Sequence, residues 1–193
     1  MKNSLLGLSI MVIVSMACNT SAGNNNSEKT SNTDTARAVT TSAAVPKPGV
    51  SVKGIVDGYL HLKNALTADN GNEAAAAGKE ILAAMSKIDV NTMDADQKKG
   101  YANVADDIKE NAEHISNNAG KIAHQREHFE MLSQDIADLV KVFGNGGQTL
   151  YKDFCPMYND GKGATWISET KEIKNPYLGK AMPTCGTMKE ELK

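Results

Sequence analysis

Two segments near the end of the sequence carry side chains that bind soft metal ions. Cys155-Pro156-Met157 and Met182-Pro183-Thr184-Cys185 together contain two thiols and two thioethers. Polarisable sulfur ligands of this kind select ions such as Cu(I) and Ag(I). Trp166 lies between the segments in the sequence, and the face of its ring can attract a bound cation. If the segments meet in the fold, the sequence predicts a soft-metal site with Trp166 as a capping ring and with four ligands, namely Cys155, Met157, Met182 and Cys185.

Cys155 and Cys185 can also form a disulfide with no metal involved. In an oxidising compartment, two thiols in one chain usually pair. Closing this loop would stabilise the fold by about 3–4 kcal/mol if the effect is entropic. A small segment with little core of its own would benefit from such a cross-link. The metal site and the disulfide both remain open at this stage.

The histidines offer a second, weaker metal candidate. His124 and His128 are four residues apart, so they can share one face of a helix and chelate an ion. They fall on the flank of that helix, where a solvated side chain is the ordinary arrangement. His61 and His114 fall on polar faces and have less to recommend them as ligands.

Charge and motifs exclude several functions. Lys and Arg number 21 and Asp and Glu 23, for a formal charge of −2, which argues against nucleic-acid binding. The sequence has no paired-cysteine redox motif, no haem attachment motif, no glycine-rich phosphate loop and no nucleophile elbow. We therefore expect a protein that is not an enzyme.

Four helices must position these residues, because apolar side chains recur at helical spacing. They are expected over residues 51–69, over 73–88, from a cap at or near Asp94 to the break at 117–120, and from Ile122 to a stop at Gly144. Short connections favour antiparallel neighbours. The predicted fold is all-α, an up-down four-helix bundle spanning residues 51–193 with its C-terminal cap.

The cap, residues 149–193, is rich in aromatic side chains and contains both cysteines. We expect it to be irregular, with a possible short strand over 164–168 after a turn at 159–163. Gln125 and Arg126 fall near the middle of the apolar stripe of the fourth helix. Buried polar groups need partners. Arg126 can extend to the rim with its stem in the core, or both residues can hydrogen-bond the C-terminal segment and hold it on the helices, which is the favoured interpretation.

The N-terminus has the features of an export signal. Lys2 precedes the apolar run from Leu5 to Ala17, and small residues before Cys18 resemble the lipobox of bacterial lipoproteins. The resemblance implies a signal peptide over residues 1–17, a lipid on Cys18 and a periplasmic protein anchored, by its following residues, in the outer membrane. Residues 18–50 lack large apolar side chains and are expected to form a disordered tether. The apolar run is too short to span a bilayer, so the lipid would be the sole membrane contact.

Motifs along the chain resemble a bacterial family known only as a domain of unknown function. The matching residues are Gln125 to Phe129, Phe154 to Met157, Gly163 to Ser168, Glu172 to Gly179 and Met182 to Gly186. That family occurs in exported lipoproteins and as a module attached to periplasmic adaptors of copper/silver-type heavy-metal efflux systems. Cys155-Pro156-Met157 also resembles the Tyr-x-Cys-Pro-Met-His segment of separate heavy-metal-binding modules, with Tyr158 in place of the histidine.

The resemblance implies a lipid-anchored periplasmic protein that binds Cu(I) or Ag(I) and serves a heavy-metal efflux adaptor. The alternative is a protein-interaction module without metal, in which Cys155 and Cys185 form a structural disulfide.

Overall fold

Four helices make up most of the computed structural model, which describes residues 50–192. They are α1 (Lys53–Thr67), α2 (Gly71–Met85), α3 (Ala95–Asn117) and α4 (Ile122–Phe143). Single 3-10 turns are formed by Val90–Thr92 and Gly179–Ala181. The prediction of four helices is confirmed.

Local capping explains where the helices begin and end. The carboxylate of Asp94 accepts a hydrogen bond from the Gln97 amide, and the Gln97 side chain returns one to the Asp94 amide. This capping box satisfies two amides that the first turn of α3 leaves free, and it confirms the predicted cap at Asp94. Gly144, with φ of 81°, ends α4 in a backbone conformation that suits glycine.

Helices that follow one another along the chain pack together, α1 on α2, α2 on α3 and α3 on α4. At the centre of the core the rings of Tyr59 and Phe129 stack with their centroids 5.1 Å apart. The hydroxyl of Ser133 donates to the Phe129 carbonyl at 2.7 Å, so the Tyr59 hydroxyl donates to Ser133 at 2.8 Å. The up-down direction of the bundle stays a prediction.

The C-terminal segment contains a sheet, so the fold is mostly helical but not all-α, and the short strands that were predicted as possible in the cap are present. Strands β1 (Leu150–Cys155), β2 (Ala164–Ser168) and β3 (Thr187–Leu192) form an antiparallel sheet in the order β2-β1-β3. The expected short strand over 164–168 is confirmed as β2. Strand β3 is mostly exposed and polar. Because backbone pairing with β1 holds it in the sheet, its sequence needs no apolar pattern.

Strand register places Cys155 and Trp166 on one face of the sheet. In the pairing of β1 with β2, Cys155 lies opposite Ala164 and Asp153 lies opposite Trp166. Opposite residues share a face, and so do residues two apart in one strand. Cys155, Asp153 and Trp166 therefore lie on the same face, and all three are fully buried.

Polar side chains of the helices hold the cap in place. The Tyr59 hydroxyl accepts a hydrogen bond from the Ile167 amide at 3.0 Å, and the buried Lys63 ammonium donates to Glu169 at 2.7 Å. Arg126 Nε donates to the Pro176 carbonyl at 2.7 Å. Its Nη2 donates to the Leu66 carbonyl in α1 at 3.0 Å and to the carboxylate of Asp69 just after α1.

Gln125 has different partners from those expected. Its buried amide donates to the Gly71 carbonyl at 2.9 Å and to the Ile115 carbonyl at 3.1 Å. These are backbone groups at the start of α2 and near the end of α3. Gln125 thus links three helices, whereas the neighbouring Arg126 contacts the C-terminal segment. The one-residue step around α4 turns the two side chains in different directions.

The predicted signal peptide (1–17), the lipidation at Cys18 and the tether (18–50) lie outside the described residues, apart from Val50. Within residues 50–192, none of the helices is both long enough and apolar enough to cross a membrane.

Candidate metal centre

The two cysteines of the cap face each other. Cys155, at the end of β1, is fully buried, and Cys185 is partly buried just before β3. Their Sγ atoms are 3.5 Å apart and both cysteines are free. A disulfide would hold the sulfurs at about 2.05 Å. The arrangement is therefore that of two unbonded thiols in contact.

Asn175 is the residue that fixes Cys185, and the sequence analysis did not single it out. Its side-chain nitrogen donates to the Cys185 carbonyl at 2.5 Å, and its backbone amide donates to the Pro183 carbonyl at 2.8 Å. Its side-chain oxygen accepts from the amides of Tyr177 and Leu178 at 2.8 and 2.9 Å. Asn175 is fully buried, so these bonds are shielded from water.

The two methionines flank the thiols through their backbones. The Cys185 amide donates to the Met182 carbonyl at 3.2 Å, which closes a turn. The backbone of Met157 lies near the Cys185 thiol and acts to lower its pKa, against the larger effect of burial. Met157 and Met182 are 60% and 43% exposed, so both residues lie at the surface.

Trp166 packs beside the Cys185 segment as part of the core. A Cβ added to Gly186 would lie 2.9 Å from Cη2 of Trp166, so the indole ring lies directly against the residue that follows Cys185. The ring of Tyr177 meets the indole edge-on at 6.0 Å. Among the described residues, no partner accepts a hydrogen bond from the buried Trp166 Nε1. Trp166 thus forms an apolar wall beside the candidate site.

Burial raises the pKa of two groups, the thiol of Cys185 and the carboxyl of Asp153. Burial, and then the contact with Cys155, raises the pKa of the Cys185 thiol. Metal binding there must therefore release a proton, because the thiolate is the ligand. Burial raises the pKa of Asp153 to about 6, against the opposing charge of Lys63. Neither carboxylate oxygen of Asp153 has a hydrogen-bond partner among the described residues.

The structure brings together three histidines, of which the sequence paired only two. His124 and His128 on α4 lie beside His114 on α3, and one ring nitrogen from each falls within 4.8 Å of the others. The short loop between α3 and α4 is the signal that could have revealed His114. Residues at similar distances before and after such a loop face each other.

Comparison with known families identifies the helical part. Residues 55–148 match the family model described as "Protein of unknown function (DUF3347)". The match to a DUF3347 domain is thus found over residues 55–148, and the function of that family is uncharacterised. The match covers the four helices except for the first two residues of α1, and it ends before β1, so the cysteines and methionines of the candidate site lie outside it. No curated protein and no solved structure matches the chain.

Proposed function

We propose that this protein is an exported, lipid-anchored carrier of a soft metal ion, Cu(I) or Ag(I), and not an enzyme. Cys155 and Cys185 supply the primary ligands, and Met157 and Met182 complete the set. The protein holds the ion in the periplasm and presents it to a heavy-metal efflux adaptor. The tether links the folded domain to the lipid on Cys18 and allows the domain to reach that partner. The four helices of the domain run in the up-down order.

The separation of the two sulfurs is the observation that carries the proposal. Thiolates bound to one tetrahedral ion at about 2.3 Å lie roughly 3.8 Å apart. The observed 3.5 Å between Cys155 and Cys185 differs from that value by a few tenths of an ångström. In a disulfide the two sulfurs would have to lie much closer, about 2.05 Å apart. The pair is thus closer to the geometry of a chelate than to that of a covalent bridge.

The surroundings of the sulfurs suit a soft ion. Cys155 and Trp166 are fully buried, which excludes water from the inner side of the site. Exposed thioethers on the outer side can capture an ion, because methionine is flexible enough to turn inward. We assign Met157 and Met182 this capture role, with transfer to the thiolates following.

The efflux role rests on the family resemblance and on the chemistry of the ligands. Sulfur ligands of both types select the ions that copper/silver efflux systems remove. A domain on a long tether searches a volume close to its anchor and raises its effective concentration near a membrane partner. Surface thioethers are placed where a partner can reach them.

The alternative is a protein-interaction module that is cross-linked by a Cys155–Cys185 disulfide. What favours it is the contact of two free thiols in a chain with an export signal, since oxidation needs only a local approach of the sulfurs. In that case the exposed methionines would belong to an interaction surface.

An anaerobic titration with Cu(I) against a coloured competing chelator separates the two functions. The reduced full chain carrying Cys18→Ser has Cys155 and Cys185 as its only thiols. We expect one Cu(I) to be captured, with capture abolished by Cys155→Ser and weakened by Met182→Leu. Met131→Leu is the matched control, because Met131 is similarly exposed, at 45%, on α4. Absence of capture, with no reactive thiol in the untreated protein, would instead establish the disulfide module.

A further inference from the structure

A cluster of three imidazoles lies between α3 and α4, in the DUF3347 domain. The rings of His114 and His128 stack with centroids 4.2 Å apart and an interplanar angle of 15°. The His124 ring meets the His128 ring edge-on at 4.5 Å. One ring nitrogen from each residue lies within 4.8 Å of the others. Ligands from two helices are thereby gathered at one point.

Hydrogen bonds fix the tautomer of His128 in a form that binds metal. The Asn111 side-chain nitrogen donates to the Asp107 carbonyl at 2.9 Å, so its oxygen faces His128. That oxygen lies 2.9 Å from His128 Nδ1 and can only accept. Nδ1 therefore carries the proton and Nε2 keeps a free lone pair. Histidines that bind metals are oriented in the same way by a partner on the second nitrogen.

His124 has a corresponding partner on its own helix. Its Nδ1 lies 3.3 Å from a carboxylate oxygen of Glu127 and donates to it. This contact also leaves Nε2 of His124 free. A carboxylate behind an imidazole raises its basicity as a ligand.

Neighbouring groups act on the pKa of His128 in both directions. Partial burial, and then the positive charge available on His114 and His124, lowers the pKa of His128. Glu110 and Glu127 act on His128 in the opposite direction, and they place negative charge near an incoming cation.

We propose that His114, His124 and His128 bind a divalent ion of intermediate softness, Cu(II) or Zn(II), at a site separate from the sulfur pair. Imidazole suits both ions, and Cu(II) binds nitrogen ligands most tightly among the first-row divalent metals. Nitrogens at about 2.0–2.1 Å from a tetrahedral ion lie roughly 3.3 Å apart. Rotation of partly exposed rings brings the observed cluster to that spacing. Three protein ligands leave a fourth position for water or an incoming ligand.

The site would give one chain two metal specificities. Sulfur ligands take the reduced ion, and the histidines take the oxidised ion or zinc. The histidine site does not depend on the proposed function, since it uses other residues and other donor atoms. Loss of one site leaves the other testable.

Zinc titration of the reduced full chain against a chromophoric chelator tests the proposal. We expect His114→Gln and His128→Gln to remove one equivalent of bound Zn(II) or to weaken it by at least about 10- to 100-fold. His61→Gln is the matched control, because His61 lies between Glu73 and Glu80 and away from the cluster. The His114 ring is exposed, so this substitution leaves the fold intact. Equal binding by His114→Gln and His61→Gln would overturn the proposal.

Electron paramagnetic resonance of Cu(II) gives an independent test in a chain without thiols, carrying Cys18→Ser, Cys155→Ser and Cys185→Ser. Circular dichroism first verifies that this chain is folded. We expect nitrogen hyperfine structure that His114→Gln reduces. If the thiol-free chain does not fold, the zinc titration decides alone. A folded thiol-free chain without nitrogen-bound copper contradicts the site, while the Cu(I) titration still judges the sulfur pair separately.

Discussion

The side chain of Asn175 holds the backbone of Cys185. Its nitrogen donates to the Cys185 carbonyl at 2.5 Å, while its oxygen accepts from the Tyr177 amide at 2.8 Å. One buried amide thus joins the aromatic turn to the segment that carries the second thiol. The position of the Cys185 sulfur against Cys155 depends on this link.

Replacing Asn175 should therefore loosen the sulfur pair. In Asn175→Ala the Cys185 carbonyl loses its donor, and we expect the free energy of unfolding to fall by about 1–3 kcal/mol. Cu(I) affinity should fall as well, because the thiols are no longer held together before binding. Urea denaturation and chelator competition measure the two effects. Asn91→Ala, at an exposed turn, is the control. An unchanged Cu(I) affinity would show that Asn175 has no positioning role.

Arg126 should contribute far more to stability than the surface ion pairs. It bonds to the Pro176 and Leu66 carbonyls and to Asp69, and its side chain is only 13% exposed. Charged hydrogen bonds of this kind are worth about 1.5–3 kcal/mol each. We expect Arg126→Lys to lower the free energy of unfolding by at least about 2 kcal/mol.

The exposed pair of Lys141 and Asp138 provides the comparison. Lys141→Ala should cost less than about 1 kcal/mol in the same denaturation experiment. Equal losses in the two variants would mean that Arg126 does not anchor the cap.

Asp153 should make stability depend on pH. Burial raises its pKa to about 6, so the folded protein holds a proton that the unfolded chain releases near pH 4. Its favourable contribution is complete below pH 4 and disappears as the pH rises through 6. Asp153→Asn should therefore be more stable than the natural protein at pH 8, by about 1–3 kcal/mol, with little difference at pH 4.

Thermal unfolding across pH 4–8 measures this difference, and Asp106→Asn on an exposed helix face is the control. A difference that is the same at every pH would contradict the titration of Asp153.

Metal affinity should rise with pH. The raised pKa of Cys185 means that its thiol is protonated at neutral pH and must lose its proton when Cu(I) binds. Each proton released strengthens binding about tenfold per pH unit. Competition titrations at pH 6, 7 and 8, corrected for protonation of the chelator, measure the slope. A flat profile would rule out a thiol of Cys185 as a proton-releasing ligand.

Apolar periodicity was sufficient to predict the four helices, and the side-chain chemistry of Asp94 predicted a cap. Periodicity could not predict β3, because a strand held by backbone pairing at a sheet edge needs no apolar side chains. The all-α expectation failed for that reason. The short strand β2 was recognised from its position after a turn.

The sequence predicted some of the candidate ligands and missed others. Cys155 and Cys185 stand out by residue type, and both interpretations of the sequence, a metal site and a disulfide, place them together. His114 was missed because its partners come from another helix, and a spacing rule within one helix cannot reveal them. Gln125 and Arg126 were both assigned to the cap, although neighbouring residues on a helix point in different directions.

Copper K-edge X-ray absorption of the Cu(I)-loaded full chain, carrying Cys18→Ser, tests the central claim most directly. Sulfur and nitrogen neighbours are distinguishable, so the spectrum reports which of the two candidate sites holds Cu(I). We predict a first shell of sulfur alone that loses its intensity in Cys155→Ser and is unchanged in His114→Gln. A shell of nitrogen or oxygen, or one that His114→Gln alters, would contradict the assignment of Cu(I) to Cys155 and Cys185.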